Sequence, residues 1–120
     1  MVKARLAQIA HARSGDKGSS ANIGIAAFTP RGFDFLREIL SADRVGEYFQ
    51  PMGVGQVVRY ELPNLGALNF LLPRILAGGG SVSLRIDAQG KALGQVLLEM
   101  QIDVPDDLLP QLLPPGGFHD

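Results

Sequence analysis

The chain has no cysteine and no tryptophan, and histidine occupies only 2 of its 120 positions. The lack of cysteine excludes disulfides, thiolate metal sites and cysteine nucleophiles. A metal ion would need mostly carboxylate ligands, and a set such as His11, Asp16 and His119 is too sparse to indicate a metal site. The sequence therefore predicts no metal site and implies no cofactor.

Charged residues are also scarce, at 19% of the chain, against roughly 25% in an average soluble domain. The 11 basic and 12 acidic residues leave a net charge of −1. Proteins that bind nucleic acid or anionic membranes carry a basic excess, which displaces counterions from phosphates. We therefore expect no nucleic-acid and no membrane partner. We expect a homo-oligomer, because the low charge of the surface is typical of a surface that is buried in an interface with other copies of the chain.

No apolar run approaches the roughly 20 residues that a membrane-spanning helix needs. The first residues, MVKARLAQIAHAR, form too short and too interrupted an apolar segment for a signal peptide. We therefore expect a soluble, cytoplasmic protein.

The sequence is rich in turn-forming residues, within a length that suits one domain. Glycine occurs 15 times and proline 8 times, and 46% of the residues are hydrophobic, which is enough for a core and excludes disorder. Four of the prolines follow Val104. We assign residues 1–104 to a single domain and residues 105–120 to a proline- and glycine-rich carboxy-terminal tail.

Apolar patterning predicts strands at residues 5–10, 22–28 and 56–62. The last of these alternates, with Val58, Tyr60 and Leu62 on one face and Val57, Arg59 and Glu61 on the other. Residues 81–87 and 93–103 are predicted to pair as a hairpin, because the second segment also has a period of two. Such strands need a covered face, which the intervening helices can supply.

Helical spacing of apolar residues predicts three helices. The first follows Pro30, and the second begins at Ser41, whose hydroxyl is a suitable N-cap. The third begins at Asn64, and Pro73 is expected to kink it or to end it. Its apolar residues are Leu65, Leu68, Leu72, Ile75 and Leu76. The order of elements predicts an α+β fold, with a mostly antiparallel or mixed sheet and helices on one face.

The most polar stretch, residues 11–22, lies between two predicted strands. Its glycines allow turns in which consecutive amides converge on an anion, with Arg13 and Lys17 supplying positive charge. The alternative is a hydrophilic connection that follows ordinary turn chemistry. The stretch is neither a Walker A loop nor a dinucleotide-binding fingerprint. Its candidate ligand-binding residues are His11, Arg13, Ser14, Gly15, Asp16, Lys17, Ser20 and Asn22.

A second glycine-rich segment, Gly78-Gly79-Gly80, follows the third predicted helix. It either caps that helix or brings the backbone close to a ligand that the first polar stretch also contacts. Arg85 follows on the predicted hairpin, where it fits either an ion pair or a binding site. We add Gly78, Gly79, Gly80 and Arg85 to the candidate site. No residue is assigned a catalytic role.

Several motifs occur in an order that resembles a known family. They are Ala12-Arg-Ser-Gly-Asp-Lys-Gly18, Ala21-Asn-Ile-Gly24, Tyr60-Glu-Leu-Pro63, Leu65-Gly-Ala-Leu-Asn-Phe70, Gly78-Gly-Gly80, and Ser83-Leu-Arg-Ile-Asp-Ala-Gln-Gly-Lys91 with Gly94. Together they resemble the carboxy-terminal ferredoxin-like domain of the acyclic terpene utilisation protein A family. The resemblance covers about residues 5 to 103.

This resemblance implies a ferredoxin-like α+β sandwich and a setting in bacterial catabolism of acyclic terpenoids and related acyl-CoA compounds. It supplies no catalytic residues. In that family a much larger amino-terminal domain precedes this one, so we expect the present domain to stand alone and to act with a separately encoded large-domain partner.

Two hypotheses about function follow. The first is a non-catalytic accessory or interaction subunit that assembles as a homo-oligomer. The second is a protein or enzyme that binds a small anion, such as a CoA thioester or a carboxylate, through the stretch from Arg13 to Lys17 and the Gly78–Gly80 turn. Whether the chain is an enzyme is left open by the sequence.

Overall fold

The computed structural model describes residues 1–75 and 93–115. Its strands are β1 (Val2–Arg5), β2 (Ala10–Lys17), β3 (Ser20–Ala27), β4 (Val58–Leu62), β5 (Ala67–Leu72) and β6 (Gln101–Val104). Its α-helices are α1 (Pro30–Ile39), α2 (Ala42–Tyr48), α3 (Leu93–Leu98) and α4 (Leu109–Leu112). Short 3-10 turns connect several of these elements.

The strands form two antiparallel sheets. The larger sheet has the strand order β2-β3-β5-β4, and the smaller one pairs β1 with β6. The helices join these sheets in an α+β fold, which confirms the predicted fold class.

The core lies between one face of the larger sheet and the helices. Ile23, Ile25 and Phe70 point from β3 and β5 into this core and are fully buried. Leu36 of α1 and Leu97 of α3 are buried in the same cluster. Packing helices on this face fixes which side chains of the sheet face outward.

The polar stretch of residues 11–22 belongs to two paired strands. β2 and β3 form an antiparallel hairpin from Ala10 opposite Ala27 to Lys17 opposite Ser20. The turn has two residues and starts at Gly18, whose φ of 62° favours glycine. The hydrophilic connection considered for residues 11–22 is therefore confined to this turn, because residues 11–17 continue the strand that leads into it.

The first two predicted helices are confirmed. Thr29 caps α1 by accepting a hydrogen bond from the Gly32 amide over 2.9 Å. Ser41 caps α2 as predicted, accepting from the Arg44 amide over 3.0 Å.

The predicted helix from Asn64 is wrong. Pro63–Leu65 is a 3-10 turn, and Ala67–Leu72 is strand β5, paired with β3 on one side and β4 on the other. Leu68 and Leu72 are four residues apart, a spacing that fits both a helix and a strand. Phe70 decides between the two, because it is buried with them at a period of two.

The predicted strand at residues 93–103 is only partly correct. Leu93–Leu98 forms α3, and the strand β6 covers Gln101–Val104 alone. Leu93 and Leu97 are both fully buried, at the spacing of one helical turn. The strand predicted at residues 5–10 is likewise interrupted, by the 3-10 turn Leu6–Gln8. The hairpin partner at residues 81–87 lies outside the described residues.

Residues 105–115, the described part of the predicted tail, fold back on the domain. Leu112 of α4 is fully buried in the core. The Thr29 hydroxyl donates a hydrogen bond to the Gln111 carbonyl over 2.8 Å, which joins the start of α1 to α4.

Candidate functional site

The face of the larger sheet that points away from the helices carries a distinctive set of side chains. We call it the outer face. Its members on β2, β3, β5 and β4 in turn are His11, Arg13 and Gly15; Asn22, Gly24 and Ala26; Ala67, Asn69 and Leu71; and Val58, Tyr60 and Leu62. All are exposed or half-buried except Ala67.

The strand register arranges these residues in three rows across the sheet. The middle row runs Arg13, Gly24, Asn69 and Tyr60. The row on one side runs Gly15, Asn22, Leu71 and Val58, and the row on the other side runs His11, Ala26, Ala67 and Leu62. Directly opposite residues in an antiparallel pair lie on the same face, so each row is a continuous line of side chains.

The half of the outer face on β4 is apolar and exposed. Val58 is 39% exposed, Tyr60 51% and Leu62 39%. Leu65, in the turn that follows β4, is 72% exposed. An exposed apolar strand at the edge of the described sheet is unusual on a monomer surface and is typical of a contact surface.

The half of the outer face on β2 and β3 combines the large side chains of His11 and Arg13 with the small residues Gly15, Gly24 and Ala26. A Cβ atom added to Gly15 would lie 3.4 Å from Asn22 Oδ1, and one added to Gly24 would lie 3.9 Å from Asn69 Oδ1. Both distances are ordinary van der Waals contacts, so these glycines are not needed for packing within the chain at these points. The face is low at these two positions, whereas the exposed side chains of His11 and Arg13 stand beside them on β2.

Two contacts organise the polar groups of the outer face. Asn22 Nδ2 donates a hydrogen bond to Asn69 Oδ1 over 3.4 Å between the two central strands. The His11 ring stacks on Phe28, with centroids 5.7 Å apart. The central amides are thus paired with each other, and Arg13 is the charged side chain at the β2 end of the row that contains Asn69.

A family model, that of the AtuA ferredoxin-like domain, matches residues 4–103. The chain belongs to this family. The match spans both sheets and α1 to α3, and it agrees with the resemblance carried by the sequence motifs. No curated protein and no solved structure is significantly similar to the chain.

This AtuA ferredoxin-like domain distributes the predicted site residues over both faces of the β2–β3 hairpin. His11 and Arg13 lie on the outer face, whereas Ser14 and Asp16 lie on the side of the helices. Ser14 Oγ accepts a hydrogen bond from the Gly94 amide over 3.2 Å, which holds α3 against β2.

The other predicted site residues of the hairpin have identifiable positions. Gly15 pairs with Asn22, and the Ser20 hydroxyl accepts a hydrogen bond from the Arg74 amide over 3.4 Å. Lys17 ends β2. Gly78, Gly79, Gly80 and Arg85 lie outside the described residues, so a common site with the hairpin stays a prediction.

The described residues of the domain show few features of an active site. Within residues 1–75 and 93–115, no group of three or more His, Asp or Glu side chains is close enough to hold a metal ion. A groove of about 470 Å³ lies between the start of α1 and the Pro63–Leu65 turn. Its polar lining includes Thr29, whose hydroxyl is already engaged by Gly32 and Gln111. Its acid, Asp34, pairs with Arg37 over 3.4 Å.

No helix in the described part of this domain has the length and apolar character needed to cross a membrane.

The sequence analysis included His11, Arg13, Gly15 and Asn22 of the outer face among its candidate residues, but it did not predict the part of this face on β4 and β5. The alternation of Val58, Tyr60 and Leu62 was visible, and it correctly grouped these residues on one face of a strand. The missing information was which face packs on the core. That choice depends on Arg59 and on the neighbouring strand β5, which the sequence pattern had presented as a helix.

Proposed function

We propose that this chain is a non-catalytic, cytoplasmic accessory subunit that acts by binding protein through its outer face. Its setting is the bacterial breakdown of acyclic terpenoids and related acyl-CoA compounds, which the family resemblance implies. The observation that carries the proposal is the exposed apolar strand β4, with Val58, Tyr60 and Leu62 in one line. Aromatic and aliphatic side chains exposed together are the usual centre of a protein interface.

The charge of the chain supports the same function. Only 19% of its residues are charged, and the outer face contains no acidic residue among its twelve members. A face of this composition loses little hydration free energy when another protein covers it. Small-ligand sites, in contrast, are concave and bring polar groups together, and the sheet separates Arg13 from Ser14 and Asp16 by placing them on opposite faces.

The direct test uses a protein that carries the large domain of the family. We expect the full chain to form a complex with this protein at micromolar concentrations, as measured by light scattering after size-exclusion chromatography and by titration calorimetry. Absence of a complex under these conditions contradicts the accessory role.

Variants locate the interaction on the chain. Tyr60→Lys adds a positive charge to the outer face and should abolish the complex, whereas Tyr60→Phe keeps the ring and should preserve it. Gln50→Lys adds the same charge at an exposed position away from the sheet and is the matched control. Equal loss with Tyr60→Lys and Gln50→Lys would contradict a role for the outer face.

A thermal-shift measurement with CoA thioesters and carboxylates tests the alternative ligand-binding function. The accessory role predicts no shift at millimolar ligand. A shift that disappears in the Arg13→Ala variant would favour the small-anion hypothesis instead.

A further inference from the structure

We propose that Arg13, Gly24 and Asn69 form a notch on the outer face that binds a carboxylate of the partner protein. The three residues are consecutive members of the middle row, on β2, β3 and β5. The inference rests on the proposed function, because it names the chemistry of the partner at the same surface. Its basis is a positive charge on this face for which the described part of the chain supplies no counter-charge.

The side chain of Arg13 is exposed and makes no hydrogen bond or ion pair with another residue of the described chain. None of the twelve members of the outer face is acidic. Elsewhere in the fold, arginines are paired with acids: Arg5 with Glu99, Arg37 with Asp34, and Arg59 with Glu61. The acids that form these pairs lie away from the outer face, and Arg13 has none of them beside it in its row.

A partner that covers the outer face takes the guanidinium of Arg13 out of water. A covered charge without a counter-charge or hydrogen-bond acceptors is strongly unfavourable. Because the outer face holds no acid, the partner has to supply the negative group. A carboxylate is the group whose two oxygens match the guanidinium in a pair of parallel hydrogen bonds. The partner surface that lies over β2 and β3 is therefore acidic.

Gly24 provides the space for this carboxylate. It stands between Arg13 and Asn69 in the middle row and has no side chain. A Cβ atom added to Gly24 would lie 3.9 Å from Asn69 Oδ1 and 4.0 Å from the Arg13 carbonyl oxygen, so the space above this residue is open. Because neighbouring strands are about 4.8 Å apart, the backbones of Arg13 and Asn69 are separated by about 10 Å. A carboxylate fits between their side chains.

Asn69 supplies a second donor on the other side of the notch. Its Oδ1 accepts a hydrogen bond from Asn22 Nδ2 over 3.4 Å, and its own Nδ2 donates to no residue of the described chain. Carboxylate oxygens only accept hydrogen bonds. A carboxylate above Gly24 therefore has the charged guanidinium on one side and an available amide on the other, and the bond to Asn22 restrains that amide before the partner binds.

The partner groups next to the carboxylate are apolar. Tyr60 follows Asn69 in the middle row and is 51% exposed, and Val58 and Leu62 flank it on β4. The whole face measures roughly 19 Å by 17 Å, which is smaller than the roughly 800 Å² that each partner buries in a standard interface. We therefore expect a dissociation constant in the micromolar range and a large contribution of the Arg13 ion pair to specificity.

Titration calorimetry with the large-domain protein tests the ion pair in the complex. Arg13→Glu should weaken binding by about tenfold or more, whereas Arg13→Lys keeps the charge without the planar fork and should lose less. Arg31→Glu makes the same change of charge at an exposed position of α1 and should bind within about twofold of wild type. Equal losses for Arg13→Glu and Arg31→Glu would overturn the notch and leave the accessory role intact.

A second measurement needs no partner. Gly24→Glu places a carboxylate directly opposite Arg13 within the chain, and Gly24→Gln is its uncharged match. We expect the Gly24→Glu chain to melt about 1–4 °C higher than the Gly24→Gln chain. The difference should disappear when Arg13→Gln is added to both variants. Equal melting temperatures with Arg13 present would show that the guanidinium does not bind a carboxylate above Gly24, which overturns the proposal.

The failures of the two proposals are distinguishable. Absence of a complex with the large-domain protein contradicts the accessory role, and the melting comparison of Gly24→Glu with Gly24→Gln then sustains or overturns the notch by itself. Thermal-shift measurements with free acetate identify the source of the carboxylate. A stabilisation by millimolar acetate that is lost in Arg13→Ala would assign the notch to small carboxylates and overturn the protein source.

Discussion

The hydroxyl of Tyr48 donates a hydrogen bond to the backbone carbonyl of Val96 over 2.7 Å. This bond joins the end of α2 to α3 through two residues that are 48 positions apart in the chain. Tyr48 is half-buried, and its ring meets Phe49 edge-on at 5.3 Å. The contact fixes α3 beside the helices that cover the inner face of the sheet.

Replacing Tyr48 with phenylalanine removes this bond and keeps the ring. We expect Tyr48→Phe to lower the free energy of unfolding by about 1 kcal/mol, the usual net value of a neutral hydrogen bond. Urea denaturation at neutral pH measures the change, with an unchanged m-value as the sign that the fold is intact. Wild-type stability in this variant would show that the bond contributes nothing in solution.

The same residue predicts a dependence on alkaline pH. Burial, and to a smaller extent the charge of Glu99, raises the pKa of Tyr48 above its ordinary value of 10.0. The folded chain then holds this proton to a higher pH than the unfolded chain does. The stability is therefore fully present below pH 10.0 and falls as the pH rises toward the folded-state pKa.

The measurement is a difference between two proteins. From about pH 9 to about pH 11, the free energy of unfolding should fall more steeply for wild type than for Tyr48→Phe, since other groups titrate equally in both. Parallel curves for the two proteins would contradict the raised pKa of this phenol.

Arg59 connects β4 to the end of α1. Its guanidinium donates to the carbonyls of Arg37 and Leu40 over 2.8 and 3.0 Å and pairs with Glu61 over 3.0 Å. A cation there satisfies carbonyls that α1 leaves without partners and interacts favourably with the helix dipole. We expect Arg59→Ala to destabilise the fold by about 1–3 kcal/mol.

Arg37→Ala is the control for this prediction. It removes an arginine of α1 whose pairing with Asp34 is exposed, and exposed pairs contribute about 0–1 kcal/mol. Thermal melting compares the two variants. Equal losses would mean that charge alone, and not the two carbonyl contacts, explains the effect of Arg59.

Thr29 links the beginning of α1 to α4. Its hydroxyl accepts from the Gly32 amide and donates to the Gln111 carbonyl. Thr29→Val keeps the shape but loses both bonds, and we expect a loss of about 1–2 kcal/mol. Thr29→Ser keeps the hydroxyl and should lie within about 0.5 kcal/mol of wild type. Limited proteolysis should also cleave the valine variant sooner near α4, and a cleavage rate equal to wild type would argue against the link.

Short-range signals predicted the local structure that they encode directly. Ser41 was identified as an N-cap because a side-chain oxygen at that position accepts from the first turn, and the structure has this bond. The first two helices followed from apolar spacing, and the ordered motifs gave the family, which the family model confirms.

The errors arose where one pattern fits two structures. Leu68 and Leu72 are compatible with a helix and with a strand, and Phe70 became decisive only when β3 and β4 paired on either side. In α3 the reverse happened, because alternating apolar residues near Val96 concealed the one-turn spacing of Leu93 and Leu97. In both segments tertiary packing outweighed the local period.

The scarcity of charge and the alternation along Val58, Tyr60 and Leu62 are properties of the sequence alone. The alternation by itself determined that these three side chains share one face of a strand. The tertiary structure decided that this face points outward and that Tyr60 stands in one row with Asn69, Gly24 and Arg13. The physical reason is that a strand's alternation sorts its residues into two sets, whereas the choice of the buried set depends on the helices and strands that pack on it from distant parts of the chain.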